Sequence, residues 1–339
     1  MSVEITLYPE RATKDDLCRL VRARGYTKCT HLWDWPAGSS NFHWFEETDF
    51  KSIDGVEATV FPPREGKPDY AAGCDWALHT RTRASSSTYD RAEQNELIRE
   101  ARRRYGGSFY NDWHGKNRYT PVPVETKTPA GRGIFLVYEF VTRQVKMVEL
   151  ALPQPWAVTP DGQPAPDFMS AFDPSRVLNN ALVPFAVAAI EHFFGQAFRI
   201  LVQYDVDAQR HLLEQSRKVE LPQVVAVSNG ELAVEDIVAD WYSFQNLSAI
   251  HNAFSEWLGI DFWSLLRARR RLGRRVAFLD EHMQRLIDCR HGLVHRFEFD
   301  YDIDRDGMKT LLQTVVAVID AFVDFLETER GIQVRDDSP

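Results

Sequence analysis

The sequence predicts an α+β protein. A mixed α/β module over residues 1–152 is followed by an all-α helical bundle over 176–332. Three observations lead there. Strand-like alternation and capped helices are interleaved in the first 150 or so residues. A stretch at 153–175 carries five prolines before Asp173 and one after it. Beyond Ser175 the strand signal nearly vanishes and apolar residues recur at helical spacing.

In chain order, "TKDDLCRLVRARGY" opens on Thr13 and early acids, the start of a short helix. "GVEATVF" alternates as a strand does, and "CDWALHTRTRAS" is also expected to be extended. "STYDRAEQNELIREARRRYGG" begins with capping residues and stops at Gly106 and Gly107, so it predicts a helix. "GIFLVYEFVTRQVKMVELAL" is rich in β-branched and aromatic residues and predicts one or two long strands turning near Arg143 and Gln144. The proline-rich 153–175 is the expected linker. In the second half, "VLNNALVPFAVAAIEHFFGQAFRILVQY" predicts a long helix that is apolar nearly all round, with Pro184 in its first turns or kinking it. "VEDIVADWYSFQNLSAIHNAFSEWLG", "FWSLLRARRRLG", "RVAFLDEHMQRLIDCRHGLVHR" and "DGMKTLLQTVVAVIDAFVDFLETERG" each predict a further helix.

Composition narrows the function. The 339 residues carry a formal charge of −9, which disfavours a generic nucleic-acid coat or a membrane-surface protein but leaves room for a local basic patch. Cys18, Cys29, Cys74 and Cys289 form no CxxC pair, and the opening "MSVEITLYPERATKDDL" has no leader-like apolar segment. A cytoplasmic protein with reduced thiols and no membrane contact is expected. The most apolar run, "ALVPFAVAAI", ends at Glu191 and His192, short of the roughly 20 residues that span a bilayer.

The stretch "LIDCRHGLVHRFEF" sets two histidines and two arginines directly after an apolar helical run. His291 and His295 have the four-residue spacing of zinc peptidases, but Gly292 stands where their catalytic glutamate is needed. "DIDRDGMKTLLQ" places aspartates like a calcium loop, yet Gln313 replaces the bidentate glutamate, so a polar turn capping the last helix is the better reading. No metal and no cofactor is expected. Acid–base chemistry on a phosphodiester fits the residue types better. Histidine can take a 2′-OH proton, and arginine, always charged and fork-shaped, can stabilise a phosphorane. Arg290 and His295 flank a short apolar segment.

"CRHGLVHR" resembles the signature of the HEPN superfamily: an arginine, a polar residue, a few mostly apolar residues, then histidine. "YSFQNLSAIHNAFSEWLGIDF" resembles the middle helix of large defence-type HEPN domains, and "VAAIEHFFGQAFR" their first helix, with Glu191 as its acidic residue. The resemblance covers roughly residues 176–330. It implies a metal-independent endoribonuclease, acting as a toxin or anti-phage effector. Two motifs would face one another in a homodimer, with RNA as substrate and an antitoxin or defence-system protein as a further partner. Arg290 would stabilise phosphate charge, His295 act as general base or acid, and His291 orient the pair. Arg296 would add a phosphate contact. The competing reading is a non-catalytic scaffold in which Arg290 and His295 only tie a helix end to Glu191 or Asp288.

"LLRARRRLGRR" concentrates Arg267, Arg269, Arg270, Arg271, Arg274 and Arg275. Two readings remain open: an RNA-backbone contact, or a solvated turn paired with the acidic loop 298–306. In the N-terminal half, "HLWDWPAGSSNFHWFEE" gathers Trp33, Trp35, Phe42, Trp44 and Phe45. "YGGSFYNDWHGKNRY" sets Tyr110, Trp113 and Tyr119 beside His114, Lys116 and Arg118. Both are expected to be core aromatics of a small domain rather than base-stacking platforms. That domain suits a sensor or substrate recruiter.

Overall fold

The computed structural model describes residues 2–30, 35–63, 73–154 and 173–335. The α+β class holds, and the chain forms two compact units, Met1–Thr126 and Lys127–Pro339.

The first unit is an antiparallel sheet with two helices on one face. Its strands are β1 (Ser2–Tyr8), β2 (Thr27–Cys29), β3 (Ser40–Trp44), β4 (Val56–Phe61), β5 (Ala77–Arg83), β6 (Ser108–Asn111) and β7 (Gly115–Lys116), in the order β2-β3-β4-β5-β1-β6-β7. The helix α1 (Lys14–Ala23) follows β1, and α2 (Thr88–Tyr105) joins β5 to β6. With β4-β5-β1-β6 at its centre this is a split β-α-β arrangement, extended by the β2–β3 hairpin. Thr13 and Ser87 open the two helices with reciprocal capping boxes to Asp16 and Asp90. Alternate residues Ile5 and Leu7, with Phe42, Ala58, Val60 and Leu78, meet Leu17, Leu20, Leu97 and Ile98 in one core. Of the aromatic clusters, Phe42 is fully buried and Trp44 and Tyr119 pack on this core, whereas Phe45, Tyr110 and Trp113 are exposed. Trp33 lies outside the described residues.

The second unit is helical with one hairpin. In chain order it runs α3 (Pro129–Leu150), α4 (Pro174–Tyr204), α5 (Val206–Glu214), α6 (Leu221–Ser228), α7 (Val234–Ala239), α8 (Leu247–Leu258), α9 (Phe262–Leu266), β8 (Arg269–Leu272), β9 (Arg275–Phe278), α10 (Leu279–His291) and α11 (Arg305–Glu329). A π turn over Gly292–Arg296 continues α10. The axis is α4. Its Phe194 ring lies 4.9 Å from Phe262 and 5.3 Å from Phe322, both edge-on, among fully buried phenylalanines. By length and composition α4 is a candidate membrane span, but α3, α8, α10 and α11 pack along it as on a core helix.

Four expectations change. Residues 134–150 are not strands. Thr128 caps α3, Pro129 occupies its first turn, and Ile134, Val141 and Val145 form one buried face at helical spacing. Packing overrides local strand preference here. With Tyr138 donating to Asp320 of α11 at 2.9 Å, α3 belongs to the second unit, so the division falls after Thr126 rather than at 152. Most of the proline-rich linker, 155–172, lies outside the described residues. The arginine run is not a helix: α9 ends at Leu266 and Arg269–Phe278 form a hairpin, so the bundle is not all-α. Residues 234–259 are two helices, broken at 240–246. Pro184 sits in the interior of α4, eleven residues into the helix by its numbering.

On β5, His79 is boxed in by the Trp35 ring at 4.9 Å and bonded to Thr6 Oγ1 at 3.0 Å. Burial pulls its pKa down to about 4, partly opposed by Glu4 and reinforced by Arg81. The unfolded chain would bind this proton near pH 6.5, so the unit loses stability as pH falls from there toward 4, by on the order of 1–3 kcal/mol. An NMR titration of the His79 ring should show a midpoint near 4. A midpoint near 6.5, or acid sensitivity unchanged in His79→Gln, refutes this.

Candidate functional site

The motif is built at the end of α10. Leu279, His282, Met283 and Leu286 recur at helical spacing and form its buried face. Arg290, four residues after Leu286, continues that stripe and is half-buried, whereas His291 and His295 are exposed. In a regular α-helix, residues five apart point roughly 140° away from each other. The chain instead widens over Gly292–Arg296 into π hydrogen bonding, which sets residue i over residue i+5. Arg290 Nη1 thereby comes to 3.4 Å from His295 Nε2. The His291 and His295 rings stand 4.7 Å apart, tilted by 45°. All three expected catalytic residues are brought together.

Arginine only donates, so a hydrogen bond between the two would have Nε2 as its acceptor, the arrangement of an imidazole with its proton on Nδ1. In that arrangement Nε2 carries the lone pair a base needs. The turn closes at Phe297, whose left-handed backbone (φ 55°) is unusual for a bulky residue and leaves its ring 79% exposed. Arg296 pairs at 2.9 Å with Glu298, so it offers phosphate only a shared guanidinium.

Neither acid expected near the pair reaches it as an ion-pair partner. Glu191 on α4 accepts from Gln245 at 3.1 Å and lines a separate cavity of about 420 Å³ with His192, Arg199 and Tyr242. Asp288 accepts from Gln284 at 2.8 Å and lines a cavity of about 470 Å³ with Trp263, Asp280 and Cys289. Among the described residues Arg290 has no carboxylate partner. Burial, then the nearby Asp300 carboxylate, pushes the Cys289 thiol up to about 11, so it stays protonated and is no nucleophile.

The arginine run resolves into a ribbon. Arg269 and Arg271 share a face with Val276 and Phe278, while Leu272 and Ala277 are buried on the other. Arg269 stacks over Phe278 at 5.1 Å, and Arg275 meets Glu281 at 3.5 Å. Arg267, Arg270, Arg271 and Arg274 have no ion pair among the described residues. Asp304, in the acidic loop, accepts from the Gly307 amide at 2.7 Å and caps α11, as the sequence suggested.

A residue the sequence reading passed over holds the motif in place. Asn180, on α4, donates to the Asp300 carbonyl and accepts from the Asp300 amide, each at 2.9 Å. Arg176 adds a bond to the Tyr301 carbonyl at 2.6 Å. The only hint was a pair of asparagines, Asn179 and Asn180, beside the long apolar run of α4. No family model, curated protein or solved structure matches this chain.

Asn180→Ala removes two bonds to the loop, each worth about 1 kcal/mol net. Denaturation should show the second unit weakened by about 2 kcal/mol. Amide exchange at Asp300 and Tyr301 should accelerate at least about tenfold. Unchanged exchange there would mean that the clamp does not hold the loop.

Proposed function

We propose that this protein is a metal-independent endoribonuclease of HEPN type that acts as a homodimer, in the role of a toxin or anti-phage effector. One observation carries the reading. Arg290 and His295 meet across the π turn, reach solvent, and among the described residues are not spent on carboxylates. A scaffold use of the same motif predicts the reverse, with both side chains locked in intrachain ion pairs.

The chemistry follows from the two groups. His295 Nε2 takes the 2′-OH proton, the freed oxygen attacks phosphorus, and the 5′-oxygen leaves. A 2′,3′-cyclic phosphate remains. Arg290 swings its fork from the imidazole to the phosphorane oxygens. His291 supports the His295 ring. A histidine facing the site from a second copy fits the task of protonating the leaving oxygen, which gives dimerisation a chemical purpose. The surface beside the motif suits such a contact. Leu178, Ala181, Phe185, Ala188 and His192 recur along α4 at three- and four-residue steps and are all exposed, Phe185 by 61%. Asn180 and Arg176 join this helix to the chain leaving the π turn. The exposed Arg269–Phe278 ribbon fits RNA-backbone contact.

His295→Ala should slow RNA cleavage about 10²–10⁴-fold and Arg290→Ala about 10²–10³-fold, with circular dichroism unchanged. The double variant should be little worse than the worse single, because both act on one transition state. His291→Ala should be milder. Cleavage should survive EDTA and stop when the scissile 2′-OH is removed. Two alanine variants that cut like wild type would leave the HEPN-type scaffold as the better reading.

Light scattering at micromolar concentration should give a dimer for wild type and a monomer for Phe185→Glu, which should also lose cleavage. A monomeric wild type that still cuts RNA would remove the shared cleft.

A further inference from the structure

A third cavity in this unit is independent of the Arg290–His295 pair. It has a volume of about 400 Å³ and lies between the hairpin tip, α10, the loop before α11 and the first turns of α11. Four cations line it: Arg274, Arg275, Arg285 and Lys309. We propose that this cavity binds a phosphate group, carried by a small phosphorylated molecule or by the end of an RNA strand.

The first support is a buried unsatisfied atom. His282 lines the cavity, is only 5% exposed, and among the described residues its Nε2 has no hydrogen-bond partner. A buried polar atom left unpaired costs about 1–3 kcal/mol, and a phosphate oxygen is the partner that two nearby guanidiniums would bring. The second support is charge to spare. Arg274 and Arg285 form no ion pair among the described residues. Arg275 and Lys309 engage Glu281 and Glu149 only through partly exposed pairs, at 3.5 and 3.4 Å. Three aspartates, Asp302, Asp304 and Asp306, share the lining with these cations.

The wall is also prebuilt. The hairpin turns at Gly273 with φ 59°, and a Cβ there would run into the Thr310 side chain of α11, so the tip is seated on the helix. The aspartates on the other wall define the rest of the ligand. Asp304 accepts the Gly307 amide through one oxygen, and Asp302 and Asp306 offer further acceptors. A phosphate ester whose remaining part carries hydroxyl donors satisfies both walls. A bare inorganic dianion satisfies only one.

The test is calorimetry on the full chain at fixed ionic strength, with ribose 5-phosphate, inorganic phosphate and a 5′-phosphorylated diribonucleotide as probes. Ribose 5-phosphate should bind more tightly than inorganic phosphate. Arg274→Ala and Arg285→Ala should each weaken it about tenfold, the usual loss for one charge-assisted bond. Both arginines are exposed, so these variants should fold. His282→Phe should weaken binding while keeping the ring. Arg290→Ala should bind as wild type does. A dinucleotide tighter than ribose 5-phosphate assigns the site to an RNA end, and the reverse order to a small molecule. No binding of any probe at about 10 mM, or equal affinity in wild type and the Arg274→Ala/Arg285→Ala double variant, overturns the proposal. Because none of these readings measures cleavage, they stand apart from the fate of the nuclease assignment.

Discussion

The second unit depends on the packing of phenylalanines along α4. Phe193, Phe194 and Phe198 project from consecutive turns of one helix and meet Phe254 of α8, Phe262 of α9 and Phe322 of α11, all fully buried. Most of these contacts are edge-on, the geometry that ring quadrupoles favour. An aromatic side chain removes a large apolar area from water, so this cluster orients four helices at once. It also explains why α4 can be so apolar, since one side of it is core.

From that post the site is placed by two smaller constraints. The buried stripe of α10 sets the rotation of the helix and brings Arg290 to its rim. The π turn then changes the angular step, so that a five-residue spacing yields a pair instead of two divergent side chains. Gly292 is buried where the turn widens, and a Cβ there would sit 3.4 Å from the Arg296 guanidinium. Asn180 pins the chain where it leaves the turn. The left-handed Phe297 is the strained point between these anchors, and strain of this kind persists only where the surroundings over-determine it.

Much of this was legible in the sequence, for definite reasons. Capping residues such as Thr13, Ser87 and Gly106 act through their nearest neighbours, so α1 and α2 could be read locally. The motif residues could be named from their chemistry. Two segments misled because local preference and tertiary packing disagree. Residues 134–150 have the side chains of a strand, but Ile134, Val141 and Val145 repeat as a helix requires. Arginine favours helices, yet Gly273 at the first position of a two-residue turn, with Leu272 and Ala277 to bury, decides for a hairpin. The π turn carries no local signature at all. Its effect is to bring Arg290 onto His295, a relation between residues that no single position announces. Asn180 and His282 were hidden likewise, since their roles depend on a loop and a cavity distant in sequence.

The charges around the pair make a last point about what the fold leaves undone. Asp288 is two residues from Arg290 in the chain, and a bidentate salt bridge would be an easy gain in rigidity. The helix instead turns Asp288 away toward Gln284, and Glu191 is held by Gln245. Among the described residues, the polar contact Arg290 makes is to the His295 imidazole. That contact is long, and it becomes repulsive once His295 accepts a proton. For a structural tie it is a poor choice. For a site where the histidine must gain a proton as the arginine moves onto a developing anion, it has the right sign: protonation of His295 releases Arg290 toward the charge it is proposed to stabilise. A carboxylate in the same place would hold the guanidinium back and repel the phosphate, so its absence is the electrostatic feature that best fits the proposed chemistry.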